Sequence, residues 1–173
     1  MTVEDRAKKI KLFLLDVDGV LTDGRIIYDD YGDEIKCFHV HDGMGLSLLN
    51  KAGIKTAFIT SRKSRAVARR AKECGVSKVY FKAFPKIKSY NRALKKFKVK
   101  DDQTAYMGDD LLDLSVMKKA GLSIAVPDAC NEARAASHYV TTKKGGRGAV
   151  REAAELILKT QNKWDDIIRS YES

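Results

Sequence analysis

Cysteine is scarce in this sequence, and long apolar runs are missing. The three cysteines, Cys37, Cys74 and Cys130, lie far apart and form no Cys-x-x-Cys pair, which argues against a zinc site or dithiol chemistry. No apolar stretch reaches the roughly 18 residues that a membrane-spanning helix needs. Because the first residues mix both charge signs, no signal peptide or anchor is visible. We therefore expect a cytoplasmic protein that binds no membrane.

The composition is typical of a globular domain. Of the 173 residues, 44% are hydrophobic and 32% are charged, which argues against disorder, collagen or a membrane bundle. This length suits one core rather than two. We expect a single domain over residues 1–173, with an insertion at 24–38 and a carboxy-terminal tail at 161–173.

Positive charge exceeds negative charge. Lysine and arginine number 33 against 23 acidic residues, and a net charge of +10 attracts anions such as nucleic acid or a phosphorylated metabolite. The basic residues are dispersed, and the richest stretch, 95–100, is typical of a solvated helix end. We therefore rank a nucleic-acid-binding protein as the weakest hypothesis and expect no nucleic-acid partner.

Short apolar stretches alternate with helical patterns. Strand-sized runs occupy residues 10–15, 54–59, 78–81, 104–107, 123–126 and 138–141. Helical spacing predicts helices over 67–74, 87–97, 112–120 and 149–161. This alternation predicts an α/β fold with a doubly wound parallel sheet.

One segment interrupts the alternation. Residues 24–28 and 34–38 resemble two strands joined by a polar turn, so that 24–38 is predicted to form a β-hairpin after the first sheet strand. The hairpin would project from the strand ends, where doubly wound proteins bind ligands. Beyond residue 161, apolar spacing predicts an amphipathic helix that packs on its own domain or, alternatively, on a neighbour.

Chemically active residue types follow four of the predicted strands. They are Asp16 and Asp18; Thr60, Ser61 and Arg62; Lys86; and Asp109, Asp110 and Asp113. Two adjacent carboxylates need a cation or a shared proton, and an all-oxygen site suits Mg²⁺. Hydroxyl and backbone N–H groups after a strand can hold phosphate oxygens at the start of the next helix. Turns, helix caps and solvated charges are the structural alternatives for each group taken alone.

The ordered set resembles the four motifs of the haloacid dehalogenase-like phosphatases, over residues 10–126. A second resemblance covers nearly the whole chain and is to the family of 3-deoxy-D-manno-octulosonate 8-phosphate phosphatases. It is carried by residues 16–24, Phe38-x-Val40-x-Asp42-Gly43-x-Gly45, residues 108–110 and residues 145–152. His41 stands where that family usually carries arginine.

The resemblance implies a Rossmann-like fold with a hairpin and no large cap domain. It also implies a Mg²⁺-dependent phosphomonoesterase that hydrolyses 3-deoxy-D-manno-octulosonate 8-phosphate through an aspartyl phosphate, in lipopolysaccharide biosynthesis. The family assembles as a homotetramer whose hairpins meet and help to close neighbouring sites. We expect the same assembly here, with a sugar-acid phosphate as the small-molecule partner.

The resemblance also assigns roles to residues. Asp16 is the nucleophile, Asp18 the general acid and base, and Thr60 and Lys86 bind the phosphoryl group. Mg²⁺ is held by the Asp16 and Asp109 side chains and the Asp18 carbonyl. Asp110 and Asp113 do not bind the metal directly and instead position these ligands. The substrate-binding candidates are Asp18, Asp42, Gly43, Arg62, Arg70 and Lys86, with Arg147 as a further possibility.

Two other functions are consistent with the same residues. A phosphatase for N-acylneuraminate or a related nine-carbon ulosonate 9-phosphate differs only in its sugar. A receiver-like phosphoacceptor domain also uses acidic strand ends, a threonine and a lysine. In receivers, however, the acceptor aspartate lies between the acidic pair and the threonine, whereas here Thr60 follows the first acidic strand.

Overall fold

The computed structural model describes residues 1–172. The strands are β1 (Leu12–Leu15), β2 (Ile27–Tyr28), β3 (Glu34–Ile35), β4 (Lys55–Ile59), β5 (Lys78–Tyr80), β6 (Thr104–Gly108), β7 (Leu122–Ala125) and β8 (Tyr139–Val140). The helices are α1 (Val3–Ala7), α2 (Val40–Lys51), α3 (Arg65–Glu73), α4 (Lys86–Phe97), α5 (Leu114–Met117), α6 (Asn131–Ala135), α7 (Ala149–Thr160) and α8 (Trp164–Glu172). Short 3₁₀ turns cover Asp101–Gln103 and Leu111–Asp113.

A six-stranded parallel sheet forms the centre of the fold. Its strand order is β5-β4-β1-β6-β7-β8, and every pairing within it is parallel. Helices flank the sheet, so the doubly wound α/β prediction is confirmed. Strand β1 lies between β4 and β6 and is fully buried, which explains its unbroken apolar sequence. The chain leaving β1 therefore emerges at the middle of the sheet edge.

The insertion after β1 is a small antiparallel hairpin, as predicted. Strands β2 and β3 pair Ile27 with Ile35 and Tyr28 with Glu34, and each is only two residues long. At the turn, the Asp29 carboxylate accepts hydrogen bonds from the backbone N–H groups of Tyr31 and Asp33, at 2.9 and 2.8 Å. The large apolar side chains exposed on this hairpin are Ile26, Ile27, Tyr28, Tyr31 and Ile35.

Helices α1, α2 and α6 were not predicted from the sequence. Helix α2 contains Gly43 and Gly45, which lower helix propensity and obscure the apolar spacing. Its glycines are explained by packing, since a Cβ at Gly45 would lie 3.0 Å from the Arg151 Cα on α7. The close approach of α2 to α7 thus requires glycine, and glycine makes the helix harder to recognise from the sequence.

The carboxy-terminal helix packs on the domain that precedes it. Trp164 and Ile167 lie against the core, and the cationic groups of Arg151 and Lys159 lie 5.3 and 5.1 Å from the Trp164 ring centroid. No helix within residues 1–172 combines the length and apolar character needed to cross a bilayer.

Candidate active site

A cleft of about 200 Å³ opens at the carboxyl ends of the central strands. Loops after β1, β4 and β6 line it, together with the start of the hairpin. The lining residues are Asp16, Asp18, Gly24, Ser61, Arg62, Asp109, Asp110 and Leu112. The fold therefore brings together three of the four groups that the sequence singled out, and Lys86 reaches the same place from α4.

Asp16 is the first residue after β1 and continues its pairing with β6. Its N–H donates to the Met107 carbonyl at 2.9 Å, which fixes the backbone. One carboxylate oxygen accepts from the Val17 N–H at 2.7 Å, and the other lies 2.7 Å from the Lys86 ammonium. The Asp16 carboxylate is thus held on both sides at the floor of the cleft.

Lys86 carries a buried positive charge at the first residue of α4. Its ammonium lies 2.7 Å from Asp16 and 2.6 Å from Asp113, and the side chain is 1% exposed. Burial by itself lowers the pKa of Lys86, but the two carboxylates outweigh it and raise the pKa above its usual value. The same carboxylates explain why a cation is tolerated at a helix amino terminus.

Asp113 is fully buried and uses both carboxylate oxygens. One accepts from Lys86 and from the Tyr106 hydroxyl. The other accepts from the backbone N–H groups of Asp109 and Asp110, at 3.1 and 3.2 Å. Asp113 therefore fixes both Lys86 and the loop after β6, and its oxygens are already engaged.

Asp109 differs from its neighbours because one of its oxygens has no partner. Its Oδ1 is buried and makes no hydrogen bond within residues 1–172. Burial, then the charges of Asp16 and Asp113, raise the pKa of Asp109 to about 8. Burial and the charge of Asp113 raise the pKa of Asp16 to about 7, against the opposing effect of Lys86. The protein by itself therefore does not neutralise the negative charges of Asp16 and Asp109.

A divalent cation fits this deficit. One carboxylate oxygen from each of Asp16, Asp109 and Asp113 lies within 4.8 Å of the other two. When all three carboxylates are ionised, the single Lys86 ammonium leaves two negative charges without a counter-charge in this group. Each Asp113 oxygen has two partners, whereas among the described residues each Asp16 oxygen has one and Asp109 Oδ1 has none. Asp16 and Asp109 are therefore the ligands with lone pairs left for a cation. Their all-oxygen donor set is the type that Mg²⁺ prefers.

Gly19 allows the loop after β1 to reach Asp109. Its φ of +85° is in the left-handed region, and a Cβ there would lie 2.0 Å from an Asp109 carboxylate oxygen. A second glycine supports the same loop from outside, since a Cβ at Gly145 would lie 1.8 Å from the Gly19 carbonyl oxygen. These contacts explain why glycine stands at both positions.

A charged network crosses the mouth of the cleft. Asp18 forms an ion pair with Lys36, which also lies 3.2 Å from Glu34, and Glu34 pairs with Arg62 at 2.8 Å. The network joins the loop after β1, the hairpin and the loop after β4. Lys36 was missed in the sequence because it is one lysine among many, and only its place in the inserted hairpin distinguished it.

Thr60 lies at the buried end of β4, next to Ser61 and Arg62. Its hydroxyl accepts from the Arg62 N–H at 3.2 Å, which forms a tight turn. The expectation that this segment begins the next helix was wrong, because α3 starts at Arg65 and Ser64 is its N-cap. The turn is instead a separate loop that presents Ser61 and Arg62 to the cleft.

Asp42, Gly43 and Arg70 lie outside the group of described residues that lines the cleft. The Asp42 carboxylate accepts from the N–H groups of Gly148 and Arg151 at 3.2 and 2.9 Å, at the start of α7. Gly43 packs against the Arg70 guanidinium, whose Nη2 donates to the His39 carbonyl at 3.1 Å. Within one chain these residues join α2, α3 and α7.

Comparison with known proteins identifies the family. Residues 72–153 match the haloacid dehalogenase-like hydrolases. The 3-deoxy-D-manno-octulosonate 8-phosphate phosphatase of Yersinia pestis is 43% identical over 161 residues, which cover 93% of this chain and 86% of that protein. The Escherichia coli K12 enzyme of the same name is 42% identical over the same shares. The chain belongs to the 3-deoxy-D-manno-octulosonate 8-phosphate phosphatase family.

Solved structures of this family share the whole fold. The phosphatase from Moraxella catarrhalis, solved with magnesium, phosphate and 3-deoxy-D-manno-octulosonate, has a TM-score of 0.95 and 48% identity, covering 98% of this chain and 97% of its own. The cobalt-bound Haemophilus influenzae protein has a TM-score of 0.88 and 39% identity, covering 91% and 92%. Family membership confirms the resemblance seen in the sequence and makes the chain a phosphoric monoester hydrolase.

Proposed function

We propose that the protein hydrolyses 3-deoxy-D-manno-octulosonate 8-phosphate to the free sugar acid and phosphate, with Mg²⁺ as cofactor. The proposal depends on one observation. The Asp16 carboxylate, held by Lys86, lies close to an Asp109 oxygen that has no hydrogen-bond partner among the described residues. We place the reaction in the cytoplasm, in lipopolysaccharide biosynthesis, which is consistent with the free thiols of Cys37, Cys74 and Cys130.

Asp16 is the nucleophile in this proposal. A carboxylate oxygen forms a bond to phosphorus while the bond from phosphorus to the sugar oxygen breaks, which gives an aspartyl phosphate. Asp18 gives its proton to the leaving oxygen, then takes a proton from the water that attacks phosphorus and frees Asp16. Mg²⁺, held by Asp16, Asp109 and the Asp18 carbonyl, would offset the repulsion between carboxylate and phosphate.

Lys86 and Thr60 support the phosphoryl group. The Lys86 ammonium already touches Asp16, so it lies beside the oxygens that gain charge as phosphorus is transferred. Its burial makes this charge more effective than that of a solvated lysine would be. Asp110 and Asp113 shape the loop that carries Asp109.

Recognition of the sugar acid requires more than the cleft of one chain. Arg62 stands at the mouth and can pair with the substrate carboxylate. Asp42, Gly43 and Arg70 are proposed to reach the substrate only in a homotetramer, whose hairpins meet neighbouring chains. The exposed apolar side chains of the hairpin support this assembly, because monomers rarely leave such a group uncovered.

Specificity constants test the substrate. We expect kcat/KM for the eight-carbon sugar 8-phosphate to exceed that for a nine-carbon ulosonate 9-phosphate, and EDTA to abolish both. A preference for the nine-carbon substrate would replace the proposal with the alternative phosphatase. One phosphorylation without turnover would indicate a receiver instead.

The intermediate can be identified chemically. Borohydride reduces an acyl phosphate to an alcohol, so quenching during turnover should convert residue 16 to homoserine, which mass spectrometry of peptides detects. Reduction at any other carboxylate would contradict the assignment of Asp16. The Asp16→Asn variant, treated in the same way, is the control.

A further inference from the structure

Lys36 carries a buried ammonium at the base of the hairpin. Its side chain is 1% exposed, although the neighbouring hairpin residues Ile35 and Cys37 are exposed. The ammonium contacts the carboxylates of Asp18 and Glu34. A lysine is seldom buried unless its charge is paired, so this position is built around the two acids.

Within the part of the chain that the structure describes, the orientation of the Asp18 carboxylate depends on Lys36 alone, whereas two contacts hold the Asp16 carboxylate. Asp16 is held by Lys86 and by the Val17 N–H. The Asp18 side chain is 25% exposed. Among residues 1–172, only Lys36 donates a hydrogen bond to its carboxylate. Without Lys36 the carboxylate would be free to rotate at the mouth of the cleft.

Lys36 is itself fixed by the charges behind it. Glu34 lies 3.2 Å from Lys36 and 2.8 Å from Arg62 on the opposite loop. Burial raises the pKa of Glu34, but Lys36 and Arg62 outweigh it and hold the pKa below its usual value. The alternating order of acid and base therefore links Asp18 rigidly to the hairpin and to the loop after β4.

We propose that Lys36 is a positioning residue, which holds the Asp18 carboxyl group where it can pass its proton to the leaving oxygen. The inference rests on the proposed phosphatase mechanism and extends it to the hairpin. Lys36 keeps its own protons throughout and donates to Asp18 Oδ1. The proton that Asp18 passes on is taken up from solvent before the substrate binds and is carried on Oδ2. The proton moves from Asp18 to the sugar oxygen as the phosphorus–oxygen bond breaks. General acid–base groups typically contribute 10²–10⁴-fold to rate, and that contribution depends on geometry.

The leaving group provides the test. A nitrophenolate departs without help, whereas a sugar alkoxide needs a proton. The ratio kcat/KM includes only steps up to departure of the leaving group, so it isolates the acid role of Asp18 from its later base role. We expect Lys36→Met to lower kcat/KM about 50-fold for the sugar phosphate and less than about fivefold for p-nitrophenyl phosphate. Arg25→Met removes an exposed charge from the same hairpin and should change neither value.

A double-mutant cycle separates positioning from a structural role. If Lys36 acts through Asp18, Lys36→Met should add less than about twofold to the loss already caused by Asp18→Asn. Equal losses on both substrates, or full additivity in the cycle, would overturn the proposal. Should Lys36→Met fail to fold, Glu34→Gln takes its place, with a smaller loss that shows the same dependence on leaving group.

Failure of the proposed substrate would not affect this test. If the wild type ignores the eight-carbon sugar phosphate, the comparison uses any primary alkyl phosphate that it does hydrolyse. Mg²⁺ affinity, measured by calorimetry, should be the same in wild type and Lys36→Met. A loss of affinity would assign Lys36 to the metal site and reject the positioning role.

Discussion

The Asp16 cluster and the Asp18 network lie side by side but are built differently. The Asp16 cluster, Asp16 with Lys86, Asp109 and Asp113, stands on β1, β6 and α4 and is largely buried. The Asp18 network, Asp18 with Lys36, Glu34 and Arg62, depends on a hairpin whose strands have two residues each. The sheet thus fixes the groups that are proposed to bind the phosphoryl group, while an insertion fixes those that are proposed to act on the leaving group.

The largest effect is expected from Asp16→Asn. If Asp16 is the nucleophile as proposed, its loss should lower kcat by about 10⁴-fold or more, since an amide does not form the intermediate. Thermal unfolding without Mg²⁺ should occur at the same or a higher temperature, because a poorly compensated buried charge is removed. Residual turnover within tenfold of wild type would show that the Asp16 cluster does not carry the chemistry.

Lys86→Met should affect both activity and stability. Removing the ammonium leaves Asp16 and Asp113 buried without a cation, and breaking such a pair typically costs about 3–5 kcal/mol. We expect kcat to fall about 10³-fold, measured by phosphate release, with urea unfolding as the second readout. Lys88→Met, on the exposed face of the same helix, is the control, and equal behaviour of the two variants would contradict the role of Lys86.

The hairpin should be tested by its assembly. Ile26→Ser combined with Tyr31→Ser removes exposed apolar surface without touching the Asp18 network. Sedimentation should show a smaller oligomer, and KM for the sugar phosphate should rise about tenfold while kcat/KM for p-nitrophenyl phosphate stays the same. An unchanged oligomer would mean that the hairpins do not form the contact.

The acidic cluster predicts a pH dependence of stability. The pKa values of Asp16 and Asp109 are raised to about 7 and about 8 in the fold, from 3.8 in the unfolded chain. Between these limits the folded protein binds more protons than the unfolded one, so metal-free stability should fall as pH rises from about 4 to about 8.

Comparison of melting temperatures for wild type and Asp109→Asn isolates this effect. The difference between the two proteins should grow with pH, and Mg²⁺ should reverse it for the wild type. Stabilisation by Mg²⁺ should itself increase with pH, because protons compete for the same oxygens. A wild-type response to Mg²⁺ that is independent of pH would contradict the assignment of these ligands.

Asp42→Ala should have the smallest effect. Its carboxylate satisfies two N–H groups at the start of α7, and loss of such a cap typically costs about 1 kcal/mol. Chemical unfolding should show this loss, whereas Asp165→Ala, at an exposed site on α8, should change little. Equal stability of the two variants would contradict the proposal that Asp42 caps α7.

The sequence predicted the sheet and the acidic strand ends because each depends on local pattern. Strand β1 is buried on both faces, so it is apolar throughout and the acids after it are conspicuous. Helix α2 escaped prediction because Gly43 and Gly45 serve close packing on Arg70 and Arg151, which the local sequence does not show. Helix α3 lies close to the predicted range 67–74, but residues 60–62 do not begin it, because the hydroxyl of Thr60 forms a turn within its own loop.

The contacts of Lys36 could not have been predicted from spacing. Its partner Asp18 lies on a different segment, and the hairpin strands are too short for a clear alternation of apolar and polar residues. Ion pairs between distant segments depend on how the chain folds back, which no local pattern records. The proposed roles of Asp42, Gly43 and Arg70 are of the same kind and stay predictions.

Gly145 and Gly146 close against the loop that follows β1, with the Gly146 N–H bonded to the Val20 carbonyl at 2.9 Å. The loop that carries Asp16 and Asp18 is therefore completed only by a segment that the ribosome makes more than a hundred residues later. A nascent chain should acquire its metal affinity late in synthesis, and truncation after residue 144 should give a protein that keeps all six strands of the sheet but binds Mg²⁺ poorly.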